Sequence, residues 1–318
     1  MSSFLLALDF GGTKHSAALL ACGEHSWHSL RRAPAGVAPH DAQSDLAIMR
    51  ELAHTVLNGA HPAAIGVSFG GPVDAASGIV LLSHHVPGWE QLPLRATLQS
   101  EFGAPVSVDN DANVAALGEL RFGAGAGCRS LLYITVSTGV GGGLIIDGRI
   151  WHGADGMAGE LGHVVVDPAG PICLCGKRGC VERLASGPYM AHDLRAQLHA
   201  QPESGALLRT LAGGDVDAIT AQTIAAAAAQ GDALALAALQ RAGSALGMGI
   251  GNAANLLNPE RFILGGGVAK SGLPFWDSMR TTARATALPQ VRCELVPARL
   301  GDDAPLWGAI ALAEDLLP

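Results

Sequence analysis

Three glycine-rich turns, each directly after an apolar run, set the strongest limit on what this chain can fold into. They are Asp9-Phe10-Gly11-Gly12-Thr13-Lys14, Thr138-Gly139-Val140-Gly141-Gly142-Gly143 and Gly265-Gly266-Gly267. Glycine has no Cβ, so backbone N–H groups in such a turn adopt positive φ and approach a phosphate closely. None of the three has the spacing GxxxxGK[ST] or a clear GxGxxG, which weakens the P-loop and dinucleotide-fold readings. One such turn is equally well a plain β-turn. Three at strand ends, two with threonine (Thr13, Thr138), point to polyphosphate binding.

Around these turns, strands and helices alternate. Residues 4–9 and 17–21 flank the first turn as two strands, and 131–136 and 144–147 repeat that plan around the second. The repetition hints at a duplicated α/β lobe. Leu46, Met49, Leu52, Ala53 and Val56 give residues 41–60 a helical period. A buried strand is predicted over 63–69, a loop and helix over 88–102, and a short strand over 106–108. That strand delivers Asp109-Asn110-Asp111 to a helix over 112–122. The alanine-rich stretch 205–257 is helical in composition; a strand over 262–264, a helix over 274–287, a strand over 291–297 and a closing helix over 305–317 follow. Such alternation is the mark of an α/β fold. At 318 residues a single core stops growing, so two lobes are expected: 1–115 with the closing helix 305–318, and 116–304, hinged near 111–123.

With 49% hydrophobic and 15% charged residues, the composition excludes disorder and coiled coil. The net charge is −8 and only Lys14, Lys177 and Lys270 are lysines, so there is no basic stripe for nucleic acid or anionic lipid. The opening residues lack a basic segment, and their apolar run ends at Asp9. Longer uncharged runs, 131–146 and 242–259, are broken by Gly, Ser, Thr or Asn. A soluble, cytoplasmic protein is expected.

Asp111 is the candidate base. A carboxylate at a helix start is often only a cap, but this one stands in a polar cluster at the end of a buried strand, where open α/β sheets bind ligands. In phosphoryl transfer an aspartate there accepts the hydroxyl proton. His163, Cys173, Cys175 and Cys180 have the spacing H-x9-C-x-C-x4-C, three thiolates and an imidazole for a closed, structural Zn2+ site. The alternative is a coincidental CxC in a core strand, but Gly176-Lys177-Arg178-Gly179 between the cysteines reads as an exposed knuckle. Glu160 and Glu182 bracket this loop as acceptors for a hydroxyl-rich ligand, or as merely solvated carboxylates.

Taken together, Asp9–Lys14 written as DFGGTK, Asn110-Asp111, Ser137-Thr138-Gly139-Val140-Gly141-Gly142-Gly143, Glu160-x-Gly162-His163 and Cys173-x-Cys175-Gly176-x-x-Gly179-Cys180-x-Glu182 resemble the ROK family of bacterial sugar kinases and repressors. The resemblance runs from Asp9 to about Gly267 and implies the two-lobed, actin-like (ribonuclease H-like) sugar-kinase ATPase fold. It implies ATP with Mg2+, and phosphorylation of the 6-hydroxyl of glucose or a close relative. Asp9, Gly11, Gly12, Thr13, Lys14, Thr138 and Gly139 would hold phosphates, with Asp9 on the magnesium side, and Gly266 and Gly267 would lie against the adenosine. Asp111 would be the base. Gly71, Asn110, Asp111, Glu160, His163 and Glu182 would hold the sugar, His163 through the ring nitrogen not on zinc. A homodimer is implied too. The alternatives are an N-acetylmannosamine, N-acetylglucosamine or fructose kinase and, from another class, a non-catalytic sugar-binding regulator. Repressor members carry a helix-turn-helix domain before the first phosphate strand, for which residues 1–3 leave no room, so the kinase branch is expected. His85 departs from the asparagine that many members have in N-x-P-G-W.

Overall fold

The structure, a computed structural model, describes residues 3–36, 40–83 and 86–318. His85 lies outside them.

The first glycine turn joins β1 (Phe4–Phe10) and β2 (Lys14–Ala21) as an antiparallel hairpin, and β3 (Ser29–Pro34) pairs with β2. Helix α1 (Ala42–Leu57) begins where the Asp41 carboxylate accepts the Ser44 N–H at 2.9 Å, and ends at Asn58 in the left-handed region. Then β4 (Pro62–Phe69) runs parallel to β1. A two-stranded ribbon of β5 (Val73–Asp74) and β6 (Ile79–Val80), helix α2 (Leu94–Phe102), strand β7 (Val106–Asn110) beside β4, and helix α3 (Asp111–Phe122) follow. The sheet order is β3-β2-β1-β4-β7. Its inner strands β1 and β4 are apolar and buried almost throughout, as central parallel strands covered on both faces must be.

The second sheet repeats this plan. Its strands are β8 (Leu131–Val136), β9 (Val140–Ile146), β10 (Arg149–Ile150), β11 (Arg261–Gly265) and β12 (Leu295–Pro297), in the order β10-β9-β8-β11-β12. In both sheets three sequential strands are continued by two parallel ones, β11 on β8 and β12 on β11 here. The duplicated lobe suggested by the two strand–turn–strand segments is present as topology. Helices α4 (Val181–Ala185), α5 (Gly187–Ala200), α6 (Ala206–Leu211), α7 (Ala221–Ala229), α8 (Ala233–Leu257), α9 (Leu273–Thr286) and α10 (Ala304–Glu314) complete the chain.

Among the described residues α8 alone is long and apolar enough to cross a membrane. Its uncharged stretch has a local reason: Cβ atoms on Gly243 and Gly247 would lie 2.4 Å from the Phe275 and Met279 carbonyl oxygens of α9. These glycines let two helix backbones touch, and Ala242, Leu246 and Ile250 are buried beside them.

The chain forms two compact units, one of Met1–Arg129, Gly143–Ala158 and Ala298–Pro318, the other of Ser130–Gly142 and Gly159–Pro297. The first therefore extends beyond the expected 1–115 and 305–318. A Cβ on Gly308 of α10 would lie 1.7 Å from the Val114 carbonyl oxygen of α3, and one on Gly143 would lie 2.3 Å from Ala112 O. Contacts that close bind all of α3 and the outer part of β9 to the first unit. Buried Glu119 fastens the same region, accepting the N–H groups of Ala124 at 2.6 Å, Arg299 at 3.2 Å and Leu300 at 2.8 Å.

Candidate active site

In the first unit, register brings the polar residues together. Asp9 pairs with Ser68, and Ser68 with Asp109, so three neighbouring parallel strands carry one buried polar row near their C-terminal ends. The Ser68 hydroxyl donates to Asp9 Oδ1 at 2.8 Å, while Asp9 Oδ2 faces the glycine turn, 3.7 Å from the Cβ position of Gly11. Gly11, Gly12 and Thr13 form the exposed corner of the hairpin, and Lys14 opens β2 rather than closing the loop.

Asp111 is the first residue of α3, and the capping role belongs to its neighbour. Asn110 Oδ1 accepts the Ala112 N–H at 3.0 Å and its amide donates to Gly71 O at 3.0 Å. Asp111 Oδ1 accepts the same Ala112 N–H at 2.8 Å. A Cβ on Gly70 would sit 3.8 Å from Asp111 Oδ2 and 3.8 Å from Gly12 N. The backbone of the first glycine turn and the candidate base thus border one small space.

Burial pushes the Asp9 carboxyl up to about 6; Ser68 and Lys14 oppose this, and the charge of Asp111 adds to it. Folding therefore favours the protonated form. The penalty for ionised Asp9 is absent below pH 3.8, grows as pH rises to 6 and is full above it. Asp9→Asn is expected to stabilise the ligand-free protein at pH 7.5 by roughly 3 kcal/mol, since each tenfold change in proton affinity is worth about 1.4 kcal/mol. Stability near pH 4 should stay almost unchanged. Urea unfolding at the two pH values checks this; an equal change at both would refute the burial penalty.

In the second unit, the turn after β8 is shorter than expected. Only Ser137, Thr138 and Gly139 lie outside strands, and Gly141, Gly142 and Gly143 belong to β9. They are glycines because neighbours crowd them: a Cβ on Gly142 would lie 2.4 Å from Gly159 O. The Gly162 Cβ position lies 2.1 Å from Val140 O, so the Glu160–His163 turn rests directly on the start of β9. Glu182 Oε2 accepts the Val140 N–H at 3.0 Å, which ties the knuckle region to the same turn and commits one oxygen of that carboxylate. Gly266, at φ 86, packs on Val136 O with its Cβ position 2.3 Å away, and the Gly267 position lies 3.9 Å from Ser137 Oγ. Thr138, Gly139, Gly266 and Gly267 therefore gather at the ends of β8 and β11, with Glu160, His163 and Glu182 beside β9.

The ligand atoms of His163, Cys173, Cys175 and Cys180 all lie within 4.8 Å of one another, with Cys175 Sγ 3.5 Å from Cys180 Sγ. A tetrahedral Zn2+ with bonds of about 2.3 Å to sulfur has S···S edges of about 3.8 Å, so the donor set fits. All three cysteines are free thiols, and the buried His163 Nδ1 has no hydrogen-bond partner. The loop is a knuckle rather than a core strand: Cys173 N–H donates to Lys177 O at 2.8 Å, and Leu174 and Cys175 are exposed.

Two histidines, His152 half-buried and His15 buried, escaped the sequence reading. His152, after β10, places Nε2 2.6 Å from Asp109 Oδ2. His15, next to Lys14, contacts Asp45 Oδ1 at 2.8 Å, and Trp89 Nε1 donates to Asp45 Oδ2 at 3.3 Å. Only the polar crowd at 109–111 gave any signal for the first; each histidine stands alone in the sequence.

A family model described as "ROK family" matches residues 5–316. A glucokinase of Halalkalibacterium halodurans is 40% identical over 77% of this chain and 74% of its own length. A glucokinase of Thermotoga maritima is 33% identical over 98% and 97%. Among solved structures, a ROK family glucokinase from Streptomyces griseus in complex with glucose and AMPPNP superposes with a TM-score of 0.84 at 34% identity, covering 98% of this chain and 100% of that one.

Proposed function

Because this chain belongs to the ROK family, we propose that it is an ATP-dependent glucokinase that phosphorylates the 6-hydroxyl of glucose. One observation carries the reading: Gly12 N and Asp111 Oδ2 border the same space at Gly70. Phosphoryl transfer needs little covalent help from a protein; it needs donors for phosphate oxygens and a group that takes the acceptor's proton. Bound ATP with Mg2+ supplies the phosphoryl group and offsets the charge on its oxygens.

Asp111 takes the 6-hydroxyl proton as that oxygen attacks. Backbone N–H groups at Gly11, Gly12 and Thr13, the Lys14 ammonium, and the Thr138-Gly139 turn hold the phosphates. Gly266 and Gly267 lie against the adenosine, where a side chain would intrude. Asp9 faces the magnesium. Gly71, Asn110, Glu160, His163 and Glu182 hold the other sugar hydroxyls.

The zinc is structural in this reading, because four protein ligands leave no open position for substrate. Its task is to hold His163 and Glu182 in place through the knuckle. A cytoplasmic homodimer completes the proposal. Exposed Leu256, Leu257 and Leu288 offer apolar surface for it, joined where Asn255 Oδ1 accepts the Leu288 N–H.

ADP release by the purified protein with ATP and Mg2+ tests the function across glucose, mannose, fructose, N-acetylglucosamine and N-acetylmannosamine. The highest kcat/KM is expected for glucose. Turnover confined to another sugar would reassign the substrate, and sugar binding without turnover would replace the kinase by a regulator.

A further inference from the structure

We propose that His152 is a positioning residue for phosphoryl transfer: it holds Asp109, and through Asp109 the strand–helix corner that aims Asp111. The proposal rests on the reading of Asp111 as the base. Asp109 is buried at 3% exposure, and its carboxylate meets both that corner and His152. Oδ1 accepts the Asn110 N–H at 2.7 Å and the Asn113 side-chain amide at 3.1 Å. Oδ2 receives His152 Nε2 at 2.6 Å. Asn110, so fixed, caps α3 and reaches Gly71 O. Asp111 is the next residue and the first of α3, so its backbone follows where Asn110 is held.

Charge explains why a histidine stands here. Asp109 lies in the same register row as Asp9, with Ser68 between them. Asp111 adds a third carboxylate two residues on. Among the described residues, His152 is the one basic side chain within ion-pair distance of Asp109. The hydrogen bond to Asp109 holds the imidazole's proton more tightly than usual, against partial burial. Without that donor, Oδ2 of the buried Asp109 carboxylate is left unmet and the side chain moves to satisfy it, which releases Asn110 or Asn113.

The histidine is presented by a fixed segment. It stands two residues past the end of β10, its carbonyl accepts the Ala158 N–H at 3.0 Å, and Gly153 and Gly156 turn the chain at φ 74 and 75. The side chain keeps 37% of its surface exposed, so a small molecule can reach the space it fills.

The test measures kcat and glucose KM for His152→Ala, His152→Gln and Asp109→Asn, with Asp111→Asn as reference. For His152→Ala, kcat is expected to fall on the order of 10²-fold, the usual result of misplacing a reacting group by an ångström, with glucose KM within about 3-fold of wild type. His152→Gln, which still donates to Asp109 but carries no charge, should recover part of that loss, and added imidazole should partly restore His152→Ala. Wild-type kcat in His152→Ala beside an inactive Asp111→Asn would overturn this proposal alone. Equal losses in Ala and Gln with a lowered Tm and no imidazole rescue would also overturn it, making His152 only structural. Full activity in Asp111→Asn would overturn both this proposal and the reading beneath it.

Discussion

Asp111→Asn is expected to lower kcat for glucose phosphorylation by about 10³-fold, within the range measured for loss of a general base, and to leave glucose affinity within several-fold. The change keeps the side chain's shape and the Oδ1 acceptor that meets the Ala112 N–H at 2.8 Å. Asn110 still caps α3, so the helix start is preserved. Only basicity and charge are lost. The carboxylate matters in the transition state, where the 6-hydroxyl gives up its proton, more than in the ground state, where an amide oxygen accepts the same hydrogen bond. An interaction made only in the transition state shows in kcat and kcat/KM together. Steady-state ADP release and isothermal titration with glucose separate the two effects. Full activity would remove Asp111 from the mechanism. Loss of glucose binding with unchanged kcat would make it a sugar ligand only.

Much of the fold was legible because its strands are buried on both faces. The runs 4–9, 63–69 and 131–136 are apolar but for Asp9, Ser68 and Thr135 near their ends, and glycine turns punctuate two of them. They became β1, β4 and β8 with ends shifted by a residue or so. The edge strand β3 was missed because Arg31, Arg32 and Pro34 give it no apolar pattern, and its position outside β2 tolerates them. In the second turn, glycine stood for two different things. Gly139 belongs to the turn, whereas Gly142 and Gly143 serve close packing of β9. Composition cannot separate these uses, since both are defined by what lies opposite.

The candidate site divides in the same way. Residues on strand ends and in turns were readable because the chain brings them there by itself: Asp9 ends an apolar run, and Asn110-Asp111 sits where a strand becomes a helix. The knuckle was readable from ligand type and spacing. Partners recruited from far along the chain were not. Ser68 lies 59 residues from Asp9, and His152 lies 43 residues from Asp109. Pairing of β1 with β4 and β4 with β7 makes the first neighbour, and the fold of the 143–158 segment onto α3 makes the second. A lone serine or histidine carries no trace of either.

The proposed zinc site in the knuckle predicts a second large effect. Cys175→Ser is expected to abolish zinc binding and to cut kcat/KM by on the order of 10–100-fold, the scale seen when support around a site is removed. Little else holds this loop. Ile172 and Leu174 are 59% and 89% exposed, so these two side chains add almost no apolar burial. A few backbone hydrogen bonds close it, among them Cys173 N–H to Lys177 O at 2.8 Å and Gly179 N–H to Pro171 O at 2.9 Å, each worth only about 1 kcal/mol net. Structural zinc supplies roughly 10 kcal/mol or more in small domains, so a metal bound here would outweigh the loop's own bonds. Serine offers a hard oxygen that stays protonated, a poor replacement for a thiolate. The damage reaches the substrate side because Glu182, two residues past Cys180, accepts the Val140 N–H beside the second phosphate turn, and because His163 is itself in the donor set. Cys22→Ser, an exposed thiol outside the cluster, should leave metal and activity untouched. Elemental analysis of the purified proteins should find about one zinc per wild-type chain. A wild-type protein without metal, or a metal-free Cys175→Ser with full activity, would refute the structural role.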